Sequence, residues 1–381
     1  MIESLYIHVP FCLRKKCVYC DFVSVPFDRG LSERYAGALA KEIEDGSMTH
    51  RDRSEVKTLF IGGGTPTALD SDQLKMFLAT LSGNFNFSPD AEVTVEANPA
   101  TVDGQKAAVL LRGGVNRISI GAQSFDGETL KLLDRAHCRE DTDRTVRICR
   151  AAGFENIGLD LIYGVPGQKR EDWRRTLESA LRLSPTHISA YELTVEQGTG
   201  LWELVKSGAL RMPPEDEVLQ MSADAGMTLE ASGFTRYEVS NYALSGFECR
   251  HNLNYWRRGQ YLGFGAAAHS FLGERRWQNT SGLDDYIARV EAGLSPVGQA
   301  ETLSKGDEER ELVFLGLRTT EGLLLPRDSS FSRRIEVAAR QLVREGFLVL
   351  EIEQGRLRAT PRGFDLLDSV ISGLLEGLFP T

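Results

Sequence analysis

The sequence predicts an α/β fold: an open, three-quarter (β/α)6 barrel followed by a winged-helix-like C-terminal domain. Three observations carry this reading. Short apolar runs alternate with amphipathic stretches six times up to residue 233, polar residues of unusual type follow the apolar runs, and beyond residue 300 the order changes to helix, helix, two strands, helix. Right-handed crossovers place the C-terminal ends of parallel strands on one rim, so residues following the strands share one site.

Strands are expected at 5–9, 58–61, 92–96, 117–120, 157–162 and 187–192, where branched and apolar residues cluster. Helices are expected at 32–45, 71–81, 102–111, 142–152, 171–183 and 214–232, where apolar residues recur at three- and four-residue steps. Six units are fewer than the eight that close a barrel, which favours an open one with room for a large ligand. The span 1–233 is therefore read as the barrel. The span 234–299 is an aromatic-rich connecting region, with helix resuming near Asp284. A charged connector at 305–311 opens the third span, 300–381, whose two strands flank Glu353-Gln354-Gly355-Arg356 and whose last helix covers 362–375.

Charge narrows the function. A net charge of -10 over 381 residues argues against general nucleic-acid binding, because phosphate contacts need excess Lys and Arg. The winged unit itself holds 11 Lys plus Arg against 14 Asp plus Glu, so a packing or partner-docking role is expected for it. No apolar run is long enough to cross a bilayer, and the opening strand leaves no room for a signal peptide, so a cytoplasmic chain is expected. Six cysteines are too few for a disulfide scaffold.

Three of those cysteines, Cys12, Cys17 and Cys20, stand in one loop directly after the first strand. Three thiolates hold a cubic 4Fe-4S cluster with one iron left open for chemistry. Residue types alone leave other readings: a redox dithiol, stray core thiols, or zinc with His8 as a fourth ligand. Arg14, Lys15 and Lys16 between the thiols would offset thiolate charge and favour the reduced cluster, or form a solvated face.

The combination of Tyr6-Ile7-His8-Val9-Pro10-Phe11-Cys12, Gly62-Gly63-Gly64-Thr65-Pro66-Thr67, Val95-Glu96-Ala97-Asn98-Pro99 and Asp160-Leu161-Ile162-Tyr163-Gly164-Val165-Pro166 resembles the radical S-adenosylmethionine (SAM) enzymes of the oxygen-independent coproporphyrinogen III oxidase family. The resemblance covers nearly the whole chain. It implies a radical SAM barrel in which the open iron chelates the amino and carboxylate groups of SAM, and an electron from the reduced cluster cleaves the sulfonium bond to a 5'-deoxyadenosyl radical. By the same resemblance Gly63, Gly64 and Thr65 hold the methionine end, and Glu96 accepts hydrogen bonds from the ribose. Gln123, Arg135 and Asp160 line the pocket, and Tyr6 and Tyr19 pack near cluster and nucleoside. One departure is visible: four residues separate Cys12 from Cys17 where the family has three, an insertion that a loop bulge can absorb.

Two features choose a branch within that family. The decarboxylating oxidases carry a further cysteine two places after the third, whereas Cys20 is followed here by Asp21 and Phe22. His251-Asn252-Leu253-Asn254-Tyr255-Trp256 matches the His-Asn-x-x-Tyr-Trp motif of the HemW branch, the haem chaperones. Imidazole is a good axial ligand for haem iron, and Tyr255 or Trp256 can cover the macrocycle. Cys249 is a rival ligand, His269 a weaker one, and Cys138 and Cys149 read as core thiols. The resemblance thus implies a chaperone that binds haem and delivers it to respiratory apoproteins at the membrane, with an electron donor for the cluster and a homodimer as further partners. The other reading is an active radical SAM oxidoreductase on coproporphyrinogen III or a related porphyrinogen. Whether the chain is an enzyme is left open by its residues.

Overall fold

The computed structural model describes residues 2–14, 16–49, 55–327 and 329–379. Its centre is one twisted sheet containing six parallel strands at the expected positions: β1 Ser4–Val9, β2 Val56–Gly63, β3 Phe87–Ala97, β4 Arg117–Gln123, β5 Asn156–Tyr163 and β6 His187–Glu192. They neighbour one another in chain order, each pair joined by a helical crossover. The main crossover helices are α1 Arg29–Thr49, α2 Ser71–Asn84, α3 Gly104–Arg112, α4 Arg139–Ala152 and α5 Arg170–Arg182, with α6 Glu215–Ala231 following β6. Leu5, Ile7, Leu59, Ile61, Val95, Ile118, Ile120, Leu159 and Ile188 are all but fully buried between sheet and helices, each such side chain stabilising the fold by roughly 1.5–3 kcal/mol.

The helix boundaries follow from their caps. Asp70 accepts from the backbone amides of Asp72 and Gln73 while Gln73 reaches back to Asp70, a capping box that starts α2. Asp103 caps α3 by accepting from the Lys106 amide, and Gly153, at φ +114°, supplies the left-handed residue that ends α4. Between α5 and α6 lies a charged tie. Asp224, 2% exposed, accepts from Arg170 at 2.5 and 2.8 Å and from Arg174 at 2.9 and 2.8 Å. Those arginine hydrogen bonds hold the Asp224 carboxyl at about 2, below its usual range. A depressed folded pKa contributes stability that is complete above about pH 4 and is lost as pH falls through about 2. Asp224→Asn should therefore lower stability at neutral pH by on the order of 1–2 kcal/mol, the arginines being partly solvated. In urea melts the difference from the parent should shrink between pH 4 and pH 2.

The sheet is wider than its six predicted strands. Leu262–Phe264 adds in parallel to the free side of β1, while Asn241–Ala243 and then Thr235–Arg236 add antiparallel beyond β6. The sheet is open, ending at Leu262–Phe264 on one side and at Thr235–Arg236 on the other. Leu283, Tyr286, Ile287 and Val290 of the helix Leu283–Glu291 pack into the same core. The C-terminal unit has its own core, built around Val313, Ile335, Leu357 and Leu374. Two expectations there need correction. The charged stretch 305–311 is no connector but the start of the helix Lys305–Gly316, capped by Ser304 and Asp307, and the two wing strands, Leu348–Glu351 and Arg356–Ala359, gain a third, Leu323–Leu324.

Candidate functional site

β1 runs directly into the thiol loop. Phe11 is buried beneath it, and Phe11–Cys12 pairs in parallel with Val25–Pro26, so that Phe27 N donates to Cys12 O at 2.7 Å and Val25 N to Pro10 O at 2.8 Å. Cys20 N donates to Cys17 O at 3.2 Å in a turn. The loop is thus tied at its base, and all three thiols border one cavity of about 470 Å³. Its lining descends from the C-terminal strand ends, at Gly63, Gly64, Glu96 and Gln123, to the strand beginnings at Arg117 and His187.

The glycine run is sterically required. Gly63 has φ +110°, and a Cβ there would lie 2.7 Å from the His8 ring. At Gly64 a Cβ would lie 2.7 Å from the Phe11 carbonyl oxygen and 2.9 Å from its nitrogen, so only glycine lets β2 pass the thiol loop. Gly63 N donates to Glu96 Oε2 at 3.2 Å. Burial first, and then the nearby Asp160, push the Glu96 carboxyl up to about 8, against the pull of the Gly63 amide and Arg117. Asp160, also raised chiefly by burial, accepts from Ser119 at 3.1 Å and from Ser189 at 2.7 Å.

A continuous hydrogen-bond chain joins two of the thiols. Arg135 donates to Cys17 Sγ at 3.5 Å, to Gly121 O at 2.7 Å and to Asn98 Oδ1. Asn98 Nδ2 donates to Thr65 Oγ1 at 2.7 Å, and Thr65 Oγ1 reaches Cys12 Sγ at 4.0 Å. The buried guanidinium next to Cys17 offsets thiolate charge, and donors to sulfur stabilise the anionic form. Gln123 sits at φ +60° beside a register shift in β4, and its Oε1, like Arg135 Nε, is buried with no partner on the protein. Three thiols, a glycine ribbon closed to larger side chains and orphaned polar atoms on the cavity wall fit a 4Fe-4S cluster with SAM. Bound there, the two supply one-electron reductive chemistry.

Below this lies the helix Arg250–Trp256, which carries the His-Asn-x-x-Tyr-Trp sequence. Its amides at Arg250 and His251 donate to Glu92 at 2.9 and 3.1 Å. His251 is fully buried, stacked on Phe60 at 5.3 Å. Thr58 donates its hydroxyl hydrogen to Ser4, so His251 Nδ1 donates to Thr58 at 2.9 Å, and Nε2 accepts from Tyr255 at 2.8 Å. Burial, and then the charge of Arg117, push the imidazole down to about 3, keeping it neutral. Asn252 alone of the motif lines the cavity.

Comparison with known proteins agrees with this geometry. The Radical SAM superfamily model matches residues 6–180, and the HemN C-terminal domain model matches residues 303–366. The heme chaperone HemW of Bacillus subtilis is 36% identical over 84% of the chain and 85% of its own length. HemW of Mycobacterium tuberculosis is 36% identical over 98% of the chain and 94% of its own, and HemW of Escherichia coli is 40% identical over 70% and 69%. The chain belongs to the HemW family. Its fold superposes on that of the radical SAM enzyme coproporphyrinogen III oxidase from Escherichia coli, with a TM-score of 0.81 at 23% identity over 97% of this chain and 89% of the other.

Within this HemW-family chain the cavity gathers Cys12, Cys17, Cys20, Tyr19, Gly63, Gly64, Glu96, Gln123, Arg135, Asp160 and Asn252 from the residues singled out by sequence. Thr65 stands just behind it, touching Cys12. Tyr6 stands back from the wall, its hydroxyl donating to His8 Nδ1 at 3.0 Å and its ring stacked on Phe60, while Tyr255 and Trp256 are half-buried away from the lining. His8 is spent, donating Nε2–H to Val23 O at 2.8 Å, which removes the fourth ligand of the zinc reading. Cys249 is buried with its thiol pushed up to about 12, chiefly by burial, a poor form for a metal ligand. Cys149 is a core thiol, but Cys138 is exposed at the start of α4, contrary to expectation. Of the basic loop, Lys16 lines the cavity, Arg14 faces solvent, and Lys15 lies outside the described residues. The sequence reading missed Asn98, Arg117 and His187. Asn98 stood visible beside Glu96 at a strand end, whereas Arg117 and His187 open apolar strands, where a charged or aromatic-polar start reads as an edge residue.

Proposed function

We propose that this chain is a cytoplasmic haem chaperone that takes up haem beside the helix Arg250–Trp256 and passes it to respiratory apoproteins at the membrane, using an external electron donor and acting as a homodimer. The observation that carries the proposal is the placement of the His-Asn-x-x-Tyr-Trp helix against the thiol cavity, with Asn252 in its wall, in a chain whose curated relatives are haem chaperones. Phe22, where the oxidases carry a further cysteine two places after the third, supports it over the oxidase reading. No helix among the described residues is long and apolar enough to cross a membrane.

His251 meets haem as a neutral imidazole whose Nε2 lone pair is covered by the Tyr255 hydroxyl. Ligation therefore requires that hydroxyl to swing aside. His251→Ala should cut haem retention by about tenfold or more while leaving cluster absorbance unchanged. Tyr255→Phe, which uncovers Nε2, should bind haem about fivefold more tightly, the worth of one net hydrogen bond. Spectrophotometric haem titration reads both, and equal retention in His251→Ala rejects that residue as the ligand. An anaerobic assay with reductant, SAM and coproporphyrinogen III separates the alternatives, since protoporphyrinogen formation would favour the oxidoreductase.

A further inference from the structure

Arg135 sets the direction of the hydrogen bonds that join Cys17 to Cys12. A guanidinium carries only donors, so the Asn98 atom facing it is the carbonyl Oδ1, which accepts from an Arg135 terminal nitrogen. The Asn98 amide nitrogen therefore points the other way and donates to Thr65 Oγ1 at 2.7 Å. With that oxygen already accepting, the Thr65 hydroxyl hydrogen is left for Cys12 Sγ, 4.0 Å away. The other Arg135 terminal nitrogen donates to Cys17 Sγ at 3.5 Å. One carboxamide thus aims a donor at each of two thiols.

The fold pins Asn98 in this place. It follows β3, and Thr101 donates to its carbonyl oxygen from the amide at 3.1 Å and from the hydroxyl at 2.6 Å. Gly121 on β4 leaves the room: a Cβ there would lie 3.4 Å from Asn98 Oδ1, 3.4 Å from the Arg135 nitrogen bonded to it and 2.9 Å from Gln123 Nε2. Aspartate would have the same shape but no hydrogen for Thr65. The Thr65 hydroxyl would then donate to the carboxylate and turn away from Cys12.

We propose that Asn98 is a positioning residue for the cluster, directing the Thr65 hydroxyl to Cys12 and holding Arg135 on Cys17, and that it thereby raises the midpoint potential. Uptake of one electron from an external reductant makes and breaks no bond and adds one negative charge, shared between the cluster and its thiolates. Donors at sulfur stabilise that reduced form more than the oxidised one. The proposal rests on the three thiols as cluster ligands and is independent of haem.

The test uses the full chain, reconstituted anaerobically without SAM and titrated with dithionite and redox mediators while electron paramagnetic resonance counts the reduced cluster. Thr65→Val should lower the reduced-to-oxidised ratio at a fixed potential about tenfold, which is about 59 mV for one electron. Thr65→Ser keeps the hydroxyl and should match the parent. Asn98→Asp should lower the potential at least as far as Thr65→Val, and the two together should fall short of their sum, because both take the same hydrogen from Cys12. A carboxylate acting through its charge alone would give the full sum and overturn the role of Asn98. So would a Thr65→Val chain at the parent's potential, or a Thr65→Ser chain as low as Thr65→Val. Iron and sulfide are measured on every chain. If Asn98→Asp assembles no cluster, the neutral Asn98→Ala, which also gives Thr65 no hydrogen, replaces it with the same shortfall expected and the same full sum overturning the role. A parent that assembles no cubane refutes the ligand assignment itself, whereas a cubane whose potential ignores these changes refutes only the role of Asn98.

Discussion

Replacing Cys12, Cys17 and Cys20 together by alanine abolishes cluster assembly: after anaerobic reconstitution, iron and acid-labile sulfide should fall from a full cubane complement to background. The reason is the shape of the loop. Its three thiols share one cavity, His8 is engaged with Val23 and Tyr6, and among the described residues no group of three His, Cys, Asp or Glu side chains is placed to hold a single metal ion. A cubane spans a wider set of sulfurs than a single tetrahedral ion, whose ligands sit about 2.3 Å from one centre. The thiols lie at the cavity edge, in a loop tied down by backbone bonds from Val25 and Phe27, so the far-ultraviolet circular dichroism spectrum should stay that of the parent. Zinc recovered in place of iron and sulfide from the parent would point to a structural metal site.

The second large effect comes from a single methyl group. Gly64→Ala places a Cβ against the Phe11 backbone at 2.7 to 3.0 Å, and backbone cannot rotate away as a side chain can. Either β2 or the segment Phe11–Cys12 must shift, at about 1–3 kcal/mol of overpacking. The same shift moves Cys12 relative to Cys17 and disturbs the contact between Thr65 and Cys12. Iron content and SAM affinity should therefore drop together, each by about tenfold, although residue 64 bears no ligand atom on its side chain. Gly83→Ala on α2, which meets nothing within 4 Å, is the matching control and should change neither. Isothermal titration with SAM on the reconstituted proteins measures the effect.

The barrel was legible because its signals are long and local. Each of the six parallel strands and each main helix carries its own periodicity, and the observed bounds extend the expected ones mostly by a few residues at caps such as Asp70 and Gly153. The strands Leu262–Phe264, Asn241–Ala243 and Thr235–Arg236 were not legible, since two or three residues cannot display an alternation and only their pairing with β1 and β6 makes them strands. The segment 305–311 misled for a related reason: its charges read as a solvated stretch, but Glu309 is buried against Arg334 and Glu311 pairs with Arg258 and Arg276, while the apolar Val313 and Leu317 that mark the helix come only further on. In the site, residues at strand ends were readable from their order along the chain. Asn98, which bridges Arg135 to Thr65, and Arg117, which sits at the far end of the strands, owe their roles to distances across the sheet that no linear pattern encodes.

The central claim is that the thiol loop and the glycine ribbon hold a cluster with one iron open to SAM. Electron paramagnetic resonance of the anaerobically reconstituted, dithionite-reduced protein, recorded with and without SAM, tests it most directly. SAM should shift the g values of the reduced cluster in the parent and leave those of Gly64→Ala nearly unchanged at the same concentration. A parent spectrum of a reduced 4Fe-4S cluster that is identical with and without saturating SAM would contradict the account.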